Sequence, residues 1–173
     1  MNKKNNRITV KDVARMAGVS TAAAGRALGG YGYVSEELRE KIMRAAEELG
    51  YVANQVARAM ITGKSQTIGV VGADISNPFF AEALRGISDI ARRHEFGVLI
   101  TSSDEDVPRE QEAVRILLEK QVDGLIVSPA DINNCHHLDQ AIAQGIPVVL
   151  LDRKLPTLAA DAVLIDKDRK SVV

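Results

Sequence analysis

Between Thr9 and Gly50, apolar residues recur at helical intervals in three short runs. Thr9 stands as an N-cap before Val10–Ala17, with Val13, Ala14 and Ala17 on one face and Gly18 at the end. Ser20 stands likewise before Thr21 to about Leu28, closed by the Gly29-Gly30 pair. Ser35 introduces "EELREKIMRAAEELG", in which Leu38, Ile42, Ala45 and Leu49 fall at helical spacing and Gly50 marks the stop. Three short helices with a tight glycine turn between the first two predict a helix-turn-helix. On periodicity alone, any small three-helix bundle has the same pattern.

After "YVANQVARAMITGKSQ" the period changes. "TIGVVGAD", "FGVLIT", "DGLIVS", "IPVVLLD" and "AVLID" are β-branched runs, separated by helical stretches at about Phe79–His94, Arg109–Lys120 and Cys135–Gln144. Pro108 suits a first helical turn, with Glu110 and Glu112 near its positive end. Strand and helix alternate, and continuous apolar strands predict burial on both faces. The expected fold is therefore a small all-α headpiece followed by an α/β doubly wound parallel sheet. There is no internal repeat.

Composition adds three constraints. The 173 residues contain 46% hydrophobic and 26% charged side chains, with 3% aromatic and no Trp, so the cores must be aliphatic. No apolar run reaches the ~20 residues of a membrane span. The polar start "MNKKNNRITV" lacks the apolar stretch of a signal peptide, and a lone Cys135 suits a reducing compartment. A cytoplasmic protein is expected. The net charge of −1 conceals an asymmetry: residues 1–64 carry 11 Lys/Arg against 6 Asp/Glu, and residues 65–173 carry 11 against 17. A basic head on an acidic body points to a polyanionic partner for the head, although such a bias is also found on ordinary solvated faces. The basic first helices favour DNA over the plain bundle.

Candidate chemistry lies at the carboxyl ends of the predicted strands, where parallel sheets bind ligands. "ADISNPFF", "TSSDED", "SPADINN" and "LDRK" are rich in Asp, Asn and Ser, which hydrogen-bond hydroxyl-rich molecules. Cys135, His136 and His137 are consecutive, so on a helix they diverge and cannot converge on one metal. The first strand carries only Gly69 and Gly72, not a dinucleotide fingerprint. Without a nucleophile–base arrangement, the expectation is no catalysis, no cofactor and no metal. An enzyme on a doubly wound fold and a free-standing sugar-binding protein are the weaker alternatives.

Taken together, "ITVKDVARMAGVS", "YVSEELREKI", "ELGYVANQVARAM", "TIGVVGADISNPFFAEALRGI" and "VDGLIVSP" resemble, in order and spacing, the lactose-repressor (LacI/GalR) family of bacterial transcription regulators. The resemblance runs over essentially the whole chain. It implies a DNA-binding headpiece over 1–52, a hinge helix and linker over 53–65, and over 66–173 the N-terminal lobe of a core akin to periplasmic ribose-binding proteins. It further implies a homodimer on near-palindromic double-stranded operator DNA, a sugar effector and no membrane partner.

By position, Thr21, Ala22 and Arg26 would read bases, with Ala24, Ala27 and Leu28 packing inward. Arg26 can bond a guanine bidentately, whereas Ala22 can only touch a thymine methyl. Thr9, Ser20, Tyr33, Ser35 and Asn54 match backbone-contacting positions, and for the hydroxyls helix capping is the competing role. Val56, Ala57 and Met60 match the hinge that sits in the minor groove, with Met60 in place of the wedging Leu. The alternative is an ordinary linker helix. Ala53 stands where relatives often carry Pro. Asn77, Phe79, Phe80, Asp152 and Arg153 match sugar-binding positions, with Asp104 a weaker candidate. Phe79 and Phe80 could equally be packing residues, and Asp152–Arg153 a surface ion pair.

Two departures from the family pattern set expectations. Ala23-Ala24-Gly25 replaces the usual Thr-Val-Ser, removing one core branch and two hydroxyls. Gly25 within a helix costs about 1 kcal/mol against Ala. Weaker major-groove specificity is expected, with more reliance on Arg26, the hinge and DNA deformability. The family also places a second lobe after "AVLIDKD". From this the sequence reads as an incomplete regulator, with weak sugar binding and poor induction expected of a half-cleft.

Overall fold

In a computed structural model of the chain, residues 8–165 are described. The chain divides into two compact units, Met1–Gly63 and Lys64–Val173.

The first unit is helical. Helix α1 (Val10–Ala17) starts at Thr9, where the Asp12 carboxylate accepts the Thr9 backbone N–H at 3.0 Å and its hydroxyl at 2.7 Å. Gly18 ends it in the left-handed conformation at φ 62°, which costs a glycine nothing. Helix α2 (Thr21–Gly29) begins where Ser20 Oγ accepts the Ala23 N–H at 3.1 Å, satisfying one of the orphan donors of the first turn. Helix α3 (Glu36–Glu48) starts after Ser35, which has cap geometry, but its hydroxyl makes no cap hydrogen bond. Its capping is thus one of backbone shape only, with Glu36 and Glu37 complementing the positive helix end. Helix α4 (Gln55–Thr62) follows. The buried cluster is Val13, Ala14, Ala17, Ala24, Ala27, Ile42, Ala45 and Ala46, so the helices approach closely around small side chains.

The second unit is a five-stranded, all-parallel sheet in the order β2-β1-β3-β4-β5. The strands are β1 (Thr67–Gly72), β2 (Gly97–Ser102), β3 (Gly124–Val127), β4 (Val148–Leu151) and β5 (Asp161–Val163), with α5 (Pro78–Arg93), α6 (Val107–Glu119) and α7 (His136–Ala143) between them. Val70 lies opposite Ile100 on one side and Ile126 on the other, and Leu150 lies between Val127 and Ala162. Leu117, Leu125, Leu138, Leu150 and Leu155 are almost fully buried and form the centre of the core. All five expected strands and all seven expected helices in the two units are present, within a few residues of their predicted bounds.

Burial of every strand on both faces holds for β1 but not at the sheet edges, where Leu99 and Ile100 of β2 are 40% and 46% exposed and Val163 of β5 is 60% exposed. Strand β2 is an edge strand, and an apolar run reads the same whether its faces are covered by its own chain or left open.

Candidate DNA-binding face and effector rim

Helix α2 sorts its residues sharply. Ala23, Ala24 and Ala27 are buried, while Thr21, Ala22 and Arg26 are exposed together on the opposite side. The three expected base readers thus share one solvent-facing side. The adjoining hydroxyl and amide residues Ser20, Tyr33, Ser35 and Asn54 are also exposed, Tyr33 at 89%. Thr9 is exposed too, but its hydroxyl is engaged by Asp12. That hydroxyl, joined by the Thr9 N–H and Arg15, holds the Asp12 carboxyl below the usual range. Met60 on α4 is 82% exposed, an unusual state for a large apolar side chain. Val56 and Ala57 belong to α4, but their side chains lie outside the described residues.

Around α2 lies an open cavity of about 450 Å³ that sequence reasoning missed. Thr21, Gly25, Tyr31, Asn54, Arg58 and Ile61 are among its lining residues.

In the second unit, the strand order reverses at β1, so the crevice of an open parallel sheet falls at the carboxyl ends of β1 and β3. After β1, Asp74 accepts the Ser76 hydroxyl at 2.6 Å and its N–H at 2.8 Å, which holds the Asp74 carboxyl below its ordinary range. Asn77 then caps α5 by accepting the Phe79 N–H at 3.0 Å, with Pro78 in the first turn. Phe79 is half-buried and meets Phe80 edge-on with ring centroids 5.0 Å apart. Phe80 is 5% exposed, so packing accounts for it, and Phe79 is the aromatic left at the rim.

Arg153, after β4, does not fork onto Asp152. Its guanidinium donates to the carbonyls of Pro129 at 2.9 Å and Ala130 at 3.4 Å, and pairs with Glu105 at 2.7 Å. It therefore ties together the loops that follow β2, β3 and β4. Asp152 sits at φ 67°, a strained conformation for a non-glycine residue, with its N–H donating to Val163 at 2.8 Å. Asp104, at φ 51°, is exposed, accepts the Ser102 hydroxyl at 2.6 Å and pairs with Arg109.

Glu110 was also missed. It is 1% exposed; its carboxylate accepts the Ala130 N–H at 2.5 Å and meets His137 Nε2 at 2.7 Å. The loop after β3 is thus held by both residues, Glu110 taking a backbone N–H and Arg153 its carbonyls. The signal was present in the sequence: Glu110, Ala113, Val114 and Leu117 form an i, i+3, i+4, i+7 stripe, which places a carboxylate on the buried face of α6. His136 turns away from His137 and pairs with Gln140 at 3.0 Å. Among the described residues no His/Cys/Asp/Glu group is arranged to hold a metal, and no helix is long and apolar enough to cross a membrane.

These features define a class: a helix-turn-helix headpiece joined to a lobe of the periplasmic-binding-protein type. Residues 9–54 match the model of bacterial regulatory proteins of the lacI family, and residues 68–167 match the periplasmic binding protein domain. The chain thus carries a lacI-family regulatory domain followed by a domain that belongs to the periplasmic binding protein family. It is 35% identical over 90% of its length to the ribose operon repressor of Haemophilus influenzae, covering 46% of that protein. It is 36% identical over 94% of its length to catabolite control protein A of Priestia megaterium, covering 48% of it. The chain thus spans about half the length of the curated relatives it matches. A lacI-family transcriptional regulator from Silicibacter pomeroyi superposes with a TM-score of 0.77 at 28% identity, over 91% of this chain and 47% of that one. The lac repressor dimer bound to operator and an anti-inducer gives 0.75 at 25%, over 93% and 49%.

Proposed function

We propose that the chain is a sequence-specific DNA-binding transcription regulator whose operator binding is controlled by a small-molecule effector, a sugar. The observation that carries this is the division of α2: three alanines buried, and Thr21, Ala22 and Arg26 exposed side by side where a duplex can reach them. In this reading Arg26 recognises a guanine, Thr21 and Ala22 contact neighbouring base edges, and Ser20, Tyr33, Ser35, Asn54 and Thr9 hold the phosphate backbone. The exposed Met60, with Val56 and Ala57, enters the minor groove and opens a base step. A cytoplasmic location belongs to the same reading, and the likeness to an operator-bound repressor dimer supports a homodimer on a near-palindromic site. So do the exposed Ile90, Leu99 and Ile100 on α5 and β2.

The sugar reading rests on the rim. Asn77, Asp104, Asp152 and Arg153 lie in the segments that follow β1, β2 and β4, at the carboxyl ends where parallel sheets bind ligands, with Phe79 on the first turn of α5 and Phe80 packed against it. Arg153 would act there chiefly by fixing the rim loops.

Selection of binding sites from random duplex DNA at near-physiological salt tests the proposal. The expected product is a near-palindrome with a flexible central step. Recovery of salt-sensitive binding without sequence preference would overturn it. The effector is tested separately, by calorimetric titration with pentoses and hexoses.

A further inference from the structure

We infer that Tyr31 supplies a DNA-phosphate contact that helix α2 cannot make with its own side chains; this rests on the DNA-binding reading above. Tyr31 lies between Gly30 at φ 69° and Gly32 at φ 67°, both in the left-handed region. Those two residues fold the turn back on α2, and the Tyr31 N–H donates to the Arg26 carbonyl at 3.2 Å. The phenol then lies along the helix. A Cβ built on Gly29 would stand 2.3 Å from the Tyr31 ring, and one built on Gly25 would stand 3.4 Å from its hydroxyl. The ring occupies the space of a residue-29 side chain, and its hydroxyl stands near where a serine at 25 would place one. Gly29 is needed, because any side chain there would meet the ring, whereas a Cβ at 25 would only touch the hydroxyl at van der Waals distance.

The position on the helix matters. At 3.6 residues per turn, Thr21, Gly25, Gly29, Ala22 and Arg26 follow one another around an arc of about 140°. The two glycines sit between Thr21 and the Ala22–Arg26 edge, so the phenol lies on the exposed face and not behind it. It also lines the cavity of about 450 Å³, into which Thr21, Asn54 and Arg58 bring a hydroxyl, an amide and a guanidinium. Among the described residues lining that cavity there is no carboxylate. The rest of the lining is largely apolar, from Ile8, Val10, Leu28, Val52, Ala53 and Ile61, but its side-chain polar groups are rich in donors, one of them cationic, and include no acid, a set that accepts an anion rich in lone pairs. On a DNA-binding face that anion is a backbone phosphodiester, with the Tyr31 O–H donating to a non-bridging oxygen.

The test uses the whole chain and the duplex recovered by selection, remade with a single methylphosphonate at each backbone position in turn. Tyr31→Phe keeps the ring packing and removes only the donor, so its melting should match the parent. It should bind the unmodified duplex about tenfold more weakly, with base preferences unchanged. The parent should lose a similar factor at one neutralised phosphate per half-site, and Tyr31→Phe should be insensitive at that position. Gly29→Ala, which keeps the phenol but displaces the ring, should lose the same contact. Unchanged affinity and an unchanged methylphosphonate profile in Tyr31→Phe would overturn the assignment. A changed base preference would overturn it too, by placing the phenol on a base edge. If the parent shows no sequence preference, the DNA-binding reading itself fails.

Discussion

The two halves of this chain solve opposite problems. The headpiece is built on alanine: six of the eight residues in its buried cluster are Ala, and only Val13 and Ile42 are larger. The lobe is built on leucine and valine, with Leu117, Leu125, Leu138, Leu150 and Leu155 at its centre, and it also buries Glu110. A thin core lets three short helices lie close and turn most of their polar side chains outward, which suits a surface that reads a rigid polyanion. It leaves little apolar area to stabilise the fold, as is usual for a unit of this size. The thicker core of the lobe can carry the cost of a buried carboxylate, and uses it to fix a loop at the rim. Charge divides the same way, with a balance of +5 over residues 1–64 and −6 over 65–173.

If the cores are independent, the largest effect should come from Ile42→Ala. Removing one of the two larger headpiece side chains should cost about 2–5 kcal/mol. Calorimetry should show the headpiece transition falling while that of the lobe stays in place; a shift in both would break the comparison. Glu110→Ala should do the converse. It leaves the Ala130 N–H and His137 without their partner and should destabilise the lobe alone by about 1–3 kcal/mol. Glu110→Gln should recover part of that loss, because an amide oxygen can still accept from Ala130.

Arg26→Ala separates recognition from stability. Operator affinity should fall by about 1–3 kcal/mol, with relaxed preference at one position per half-site and both melting transitions unchanged. A uniform loss across all sequences would instead place Arg26 on the backbone.

The smallest effect is electrostatic. Asp12 titrates below its unfolded value because the Thr9 hydroxyl and N–H and then Arg15 favour its charged form. Its contribution to headpiece stability is therefore fully present above the ordinary Asp range near ~4, and is lost as pH falls through the lower folded value. Asp12→Asn should flatten that part of the acid limb of headpiece stability followed by circular dichroism and leave the lobe's acid limb alone. An unchanged acid limb would mean that Asp12 does not contribute.

The legibility of the chain followed the physics of each element. Helix and strand positions were readable because periodicity of 3.6 or 2 reflects which face is buried, and caps such as Ser20 and Asn77 mark ends by local hydrogen bonding alone. The exposed triad Thr21, Ala22 and Arg26 followed from the same periodicity together with the family resemblance. What failed was whatever depended on a second element. Ser35 has the right residue type and backbone, but its hydroxyl forms no cap bond. Arg153 bonds to carbonyls more than twenty positions away instead of to its neighbour Asp152. Tyr31 lay in a run of glycines that read as a mere helix stop.

The sequence by itself determined that a basic helical headpiece precedes a parallel α/β lobe, because hydrophobic period, capping residues and charge are local properties of the chain. Only the tertiary structure decided that β2 stands at an edge, that Glu110 and Arg153 both grip one loop, and that a phenol fills the gap left by Gly25 and Gly29. Each of these depends on distances between residues that the backbone brings together from separate elements or a turn. Such distances carry no periodic trace in the order of the amino acids.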